Sequence, residues 1–95
     1  MKYDFNLLEK KAKYYLSISQ PHNALAIYLF MADGDPSLDA GYLGMRIGDC
    51  YERLNDQFSA KYWYGRAVEE NPQIPKYVEA RARLSSVSID ALLND

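Results

Sequence analysis

The chain is poor in the residue types that most chemical sites require. Its 95 residues include a single cysteine, Cys50, and a single histidine, His22. One cysteine excludes an intrachain disulfide, and with no second Cys or His there is no ligand set for a zinc-type centre. No stretch approaches the roughly 18 apolar residues that a membrane span needs. The opening residues 1–13 mix Lys, Asp and Glu with Leu and Phe, without the apolar core and small-residue cleavage site of a signal peptide. The expectation is a cytoplasmic protein that does not engage a membrane. Excess charge of either sign is small as well: a net charge of −2 argues against gripping a nucleic-acid backbone. Only 5 glycines and 4 prolines are present, and they fall at single points of punctuation instead of in low-complexity runs.

Tyrosine, by contrast, is abundant, with 9 copies, and its placement is ordered. Tyr15, Ala24, Tyr28 and Pro36 recur as Tyr51, Ala60, Tyr64 and Pro72, each pair 36 residues apart. A period of 20 to 50 residues is the mark of stacked repeat units, which usually hold another chain and seldom catalyse.

The hydrophobic pattern predicts helices between clear stops. From Asp4 to Ile18, Leu7, Leu8, Tyr14, Tyr15 and Ile18 share one broad face. Pro21 is suited to the first turn of a second helix carrying Ala24, Ile27, Tyr28 and Met31, which ends over Asp33, Gly34, Asp35 and Pro36. Ser37 or Asp39 is the expected cap of a third helix running to about Leu54, with Leu43, Ile47, Cys50, Tyr51 and Leu54 inward. After a turn at Asn55 to Gln57, a fourth helix from about Phe58 to Glu70 presents Ala60, Trp63, Tyr64 and Ala67. Asn71 and Pro72 close it, and Pro75 opens a fifth with Tyr77, Val78, Ala82 and Leu84. Strand-like alternation is absent, so the predicted fold class is all-α.

Catalytic chemistry finds little to work with, and the chain is expected not to be an enzyme and to need no cofactor. His22 follows Pro21 in a helix-opening turn, where a solvated imidazole is the plain reading. Cys50 falls on an inward helical face and reads as a small core residue, not a nucleophile. Asp33, Asp35 and Asp39 lack the Gly and bidentate Glu of a calcium loop, and Gly41 with Gly44 makes no phosphate-binding loop.

These residues resemble the tetratricopeptide repeat, a helix–turn–helix unit with the signature W-x₂-L-G-x₂-Y…A-x₃-F…P. The second unit, about residues 41–72, reads Ile47-Gly48-x₂-Tyr51, then Ala60-x₃-Tyr64, Ala67 and Pro72, with Gly44 in place of the leading Trp. The first, about 4–36, reads Ala12-x₂-Tyr15, then Ala24-x₃-Tyr28, Met31 and Pro36; Leu8 replaces the Trp and Lys11 the family's Leu. The resemblance implies antiparallel helix pairs stacked as a short right-handed superhelix, with a capping helix over about 75–86 and a tail or short helix over 87–95. It makes Tyr15, Tyr28, Tyr51 and Tyr64 core residues, opposed by the small Ala12, Gly48, Ala24 and Ala60. The family period is 34. The interval here therefore implies two extra residues near Ser37–Ala40, and a return to 34 would put Val78 and Ala82 in the places of Gly44 and Gly48.

By the same resemblance the first helix of each unit lines a concave face. That places Asn6, Glu9, Lys10, Lys13, Tyr42, Met45, Arg46, Asp49 and Arg53 there, joined by Lys76 and Glu79 from the cap. Tyr42 and Met45 offer an adaptable apolar spot. Lys10, Lys13, Arg46 and Lys76 favour an acidic or carboxylate-bearing peptide, against the alternative of a solvated mixed-charge surface. The carboxylate clamp that some family members use on chaperone tails is missing, since Glu9, Lys13, Arg46, Lys76 and Ala80 occupy its places and only Lys76 agrees. The expected function is a non-catalytic module that binds a peptide or protein on its concave face. A secretion-type chaperone and a self-assembling homo-oligomer are the alternatives, the latter because two units and a cap are fewer than the three repeats such stacks usually need. The tail, with Ile89, Leu92 and Leu93, either packs on its own domain or docks on a neighbouring chain or in the groove.

Overall fold

A computed structural model describes residues 3–93. Among them the protein is all-α, with no strand: α1 (Phe5–Ser17), α2 (Pro21–Asp33), α3 (Tyr42–Arg53), α4 (Gln57–Glu70), α5 (Pro75–Arg83) and a single closing turn, α6 (Asp90–Leu93). The five longer helices pack in chain order, α1 on α2, α2 on α3, α3 on α4 and α4 on α5, giving a helical-repeat body with extents of 47 × 29 × 22 Å.

Local chemistry explains where the helices begin. The Asp4 carboxylate accepts hydrogen bonds from the backbone N–H of Asn6 (2.9 Å) and Leu7 (3.3 Å), capping α1. Asp56 does the same for α4 through Ser59 N–H (3.0 Å). Pro21 and Pro75 open α2 and α5, where their missing N–H groups would have had no intrahelical acceptor.

The 36-residue recurrence extends to the turns. Ser19 (φ 59°) and Asn55 (φ 63°) both sit in the left-handed region just past the ends of α1 and α3. Gln20 N–H donates to the Tyr15 carbonyl (2.8 Å) and Asp56 N–H to the Tyr51 carbonyl (2.9 Å), while Ser19 and Asn55 N–H reach back to Leu16 and Glu52. Each is a Schellman closure, which satisfies the last carbonyls and reverses the chain into the next helix.

The α2–α3 connection departs from expectation. Neither Ser37 nor Asp39 caps α3; the cap position is Gly41 at φ 90°, with no side-chain bond. Leu38, Asp39 and Ala40 precede it at φ 55°, 53° and 54°, so four successive residues are left-handed. Single αL residues are common but runs are costly for side chains with a Cβ. Two things hold the run in place: Leu38 is buried at 3% exposure, and the Asp35 carboxylate accepts from Ser37 N–H, Ser37 Oγ–H and Asp39 N–H.

The core alternates large and small residues. Tyr28 and Tyr64 are fully buried, each ring contributing roughly 2–3 kcal/mol of burial free energy. A Cβ on Gly48 would lie 2.4 Å from the Tyr64 ring, and one on Gly44 3.0 Å from the Trp63 carbonyl, so the two glycines set how closely α3 and α4 approach. Ala12, one period before Gly48, is buried in the same cluster as Tyr28.

Three sequence expectations about the core need correction. Tyr15 and Tyr51 are only half-buried, edging the core rather than filling it. On α1 the inward residues are Ala12 and Leu16 with Leu8 and Tyr15 beside them, while Leu7, Tyr14 and Ile18 face solvent. Adjacent apolar pairs such as Leu7–Leu8 straddle two faces 100° apart, and the small Ala12 decides which side closes on α2. On α5 the buried residues are Tyr77, Ala80 and Leu84, while Val78 and Ala82 are exposed, so a spacing of 34 does not transfer the small-residue positions to this helix.

Candidate functional site

The face formed by α1, α3 and the end of α5 carries a chain of polar contacts that crosses the helix pairs. Lys13 Nζ lies 3.7 Å from Glu9 Oε1 within α1. The Tyr42 hydroxyl donates to Glu9, joining α3 to α1, and accepts from Arg46 Nε (2.8 Å). Arg46 in turn lies 3.8 Å from Asp49. Below it the Tyr64 hydroxyl sits 2.8 Å from Asp49 Oδ1 and 2.6 Å from Glu52 Oε1, and Arg83 of α5 forms a two-pronged contact to Glu52 at 2.9 and 2.8 Å.

A hydroxyl has one proton, so Tyr64 serves Asp49 and Glu52 alternately. The two acids differ accordingly. The Arg83 guanidinium, and then Tyr64, hold Glu52 below the usual glutamate range, whereas burial holds Asp49 above the aspartate range despite Tyr64 and Arg46. Burial and then Glu9 raise the Tyr42 hydroxyl, and Arg46, although burial opposes its charge, is held above its ordinary value by Tyr42. The Tyr28 hydroxyl is raised by burial and by the nearby Glu9 carboxylate. No hydrogen bond of acceptable geometry joins the two, and both Tyr28 OH and Glu9 Oε2 are buried without a partner.

Clefts open along this ladder. The first, of about 350 Å³, lies between the start of α1 and the α2–α3 connection; Asn6, Glu9, Asp35, Asp39 and Tyr42 line it with Phe5, Met31 and Leu43. Every charged group on its wall is acidic. The second, of about 280 Å³, is walled by Tyr42, Met45, Arg46, Asp49, Ile74, Lys76 and Tyr77. A third, of about 440 Å³, is shallow and polar, with Leu16, Arg46, Asp49, Glu52 and Arg53. Tyr42, hydrogen-bonded to Arg46, lines both of the first two.

The sequence-derived concave residues separate into groups. Asn6, Glu9, Tyr42, Met45, Arg46, Asp49, Arg53 and Lys76 line the clefts, with Lys13 at the rim on Glu9. Lys10 and Glu79 are exposed and line none of these three clefts. Lys13 and Arg46 are engaged by Glu9 and Asp49, and Arg53 donates to the Leu16 carbonyl (3.5 Å), so in the second cleft Lys76 is the cation not engaged by a neighbouring acid among the described residues. Asp35, Asp39, Glu52, Arg83 and the Tyr64 hydroxyl were not foreseen at the site. A buried tyrosine usually finds a partner for its hydroxyl, and that was the available signal that carboxylates of α3 would converge on Tyr64.

Among the described residues no group of three or more His, Cys, Asp or Glu could hold a metal ion, and no helix is long and apolar enough to cross a membrane. Cys50 is fully buried, and burial, then the Asp49 charge, pushes its thiol up to about 11. Such a thiol stays protonated and unreactive. Comparison with protein-family models, with curated proteins and with solved structures finds no match. The class defined by the fold is a small all-α helical-repeat protein.

Proposed function

We propose that the protein is a non-catalytic, tetratricopeptide-like binding module that holds an extended segment of a protein partner across the face of α1, α3 and α5, in a cytoplasmic setting. The observation that carries this reading is that Tyr42 walls two adjoining clefts of unlike charge, one acidic and one edged by Arg46 and Lys76. Apolar floors at Phe5, Met31 and Leu43 on one side, and Met45, Ile74 and Tyr77 on the other, supply burial for the segment. The charges orient it: a basic side chain enters the first cleft and an acidic group meets Lys76 in the second. This adds a basic group to the acidic or carboxylate-bearing peptide expected from the sequence.

The test is affinity capture from cells with the wild type and with Asp39→Lys and Lys76→Glu variants, alongside a photocrosslinker placed at Met45 or at the exposed Ala26. Capture weakened by either reversal, and crosslinks from position 45 but not from 26, is the expected result. Equal capture by all three proteins, or equal crosslinking from both positions, would sink the proposal.

A further inference from the structure

Helix α1 has two apolar faces and only one of them is covered. Ala12 and Leu16 close on α2, and on the opposite side Leu7 (64% exposed), Tyr14 (52%) and Ile18 (42%) form a stripe in solvent, spaced by seven and four residues with Lys11 between. Tyr3 and Phe30, ring edge to ring face at 4.9 Å, extend the stripe past the start of the helix. A solvent-facing helix normally shows polar residues there, and a helix apolar on both sides is one with a second partner. Lys10 and Lys11 flank the stripe, while the one acid of the helix, Glu9, lies on the inner face with Lys13 and Tyr42.

The chain also exposes a segment of matching chemistry. Around α6, Ile89 (58% exposed) and Leu93 (72%) stand four residues apart, with the exposed Asp90 beside them and Ser88 Oγ accepting from Asp90 N–H (3.1 Å). From Leu84 to the end of the chain there is no Lys or Arg and there are two Asp, so the segment is acidic where the α1 stripe is basic. The helices pack in chain order, which puts α1 and the closing segment at opposite ends of a body 47 Å long. The segment therefore meets the stripe of another copy and not its own. Pairing α1 with α1 is disfavoured, because Lys10 and Lys11 of both copies would share one contact with no acid between them.

We infer that the protein associates head to tail with a second copy of itself, the segment around Ile89–Leu93 of one copy lying on the Leu7–Tyr14–Ile18 stripe of the next. The contact rests on a handful of apolar side chains, far fewer than the roughly 20–30 residues a side of a stable interface, so association depends on concentration. It is heterologous, and it repeats from copy to copy until a ring closes or a free end remains.

Light scattering across a concentration series tests this directly. The wild type is expected to grow in mass with concentration, and Leu7→Glu and Leu93→Glu, both at exposed positions that leave the fold intact by circular dichroism, each give a monomer. Mixing the two variants is the decisive arm. One brings an intact closing segment and the other an intact stripe, so the mixture forms a dimer and stops there. A wild type monomeric at every concentration overturns the inference, as does a variant that keeps wild-type mass or a mixture that stays monomeric. Loss of mass on adding anionic vesicles to which the wild type binds through Lys10 and Lys11 would assign the stripe to a lipid surface and overturn it too. Neither variant touches the face used for partner capture, so that reading stands or falls separately.

Discussion

Tyr28 and Tyr64 occupy the same place in successive helix pairs and are equally buried, but their hydroxyls have opposite fates. Tyr64 meets Asp49 and Glu52, whereas Tyr28 OH has no partner. Removing a partnered hydroxyl strands the acceptors, and removing an unpartnered one relieves a desolvated group. Tyr64→Phe is expected to lower stability by about 1–3 kcal/mol and Tyr28→Phe to be neutral or stabilising, measured by chemical denaturation. Asp49 yields a pH-dependent counterpart. Its folded pKa is raised by burial from 3.8, so the native state binds the proton more tightly than the unfolded chain does. The cost of its charge is absent at low pH and fully present above the folded pKa, so stability from this group falls as pH rises through that window. Glu52, lowered from 4.5 by Arg83, works the other way and loses its contribution as pH falls. Asp49→Asn is therefore expected to raise the melting temperature at neutral pH, with the gain shrinking as the buffer is brought into the carboxylate range.

Among the elements, the α2–α3 connection is the costliest backbone. Leu38, Asp39 and Ala40 are left-handed without being glycine, and Gly41 after them admits no Cβ, since one would lie 2.7 Å from the Ala67 carbonyl. Ala40 is exposed and its side chain holds nothing in place. Ala40→Gly is expected to stabilise the protein by about 0.5–1 kcal/mol, the relief of αL strain less the entropy of a glycine in the unfolded chain, read as a shift in denaturation midpoint. The starts of α1, α2, α4 and α5 were legible in the sequence because their caps and prolines are local, whereas that of α3 was not. The conformation of this connection was not, because Leu38 is drawn into the core by contacts that no neighbouring residue specifies.

In the whole molecule, the extensive helix packing among the described residues runs between neighbours in the chain, with single polar links from α3 to α1 and to α5 across it, so stability is distributed approximately as in a one-dimensional stack. The helices α2, α3 and α4 are packed on both sides, and α1 and α5 on one. Native-state hydrogen exchange is expected to show α1 and α5 opening at lower free energy than α3 and α4, and uniform protection across all five would contradict the stack description. The Arg83–Glu52 contact, with the Arg83 side chain 57% exposed, is too solvated to hold α5 by itself. Residues 94 and 95 of the tail, and the side chain of Leu92, lie outside the described residues, so the expected apolar edge at the end of the chain is represented by Ile89 and Leu93.

The sequence by itself determined the all-helical class, the recurrence at 36 and the pairing of large tyrosines with small residues, because each of these rests on spacing or on local backbone chemistry. It also named about half of the residues that line the clefts, since helical phase carries a side chain to a face once the helix is known. Only the tertiary structure decided which of the two apolar sides of α1 is inward, that Val78 and Ala82 face solvent, and that Asp35 and Asp39 turn the first cleft acidic. Those outcomes depend on which surfaces meet across distant parts of the chain. Periodicity identifies a stripe, but the shape opposite it decides whether the stripe is buried or left for another molecule.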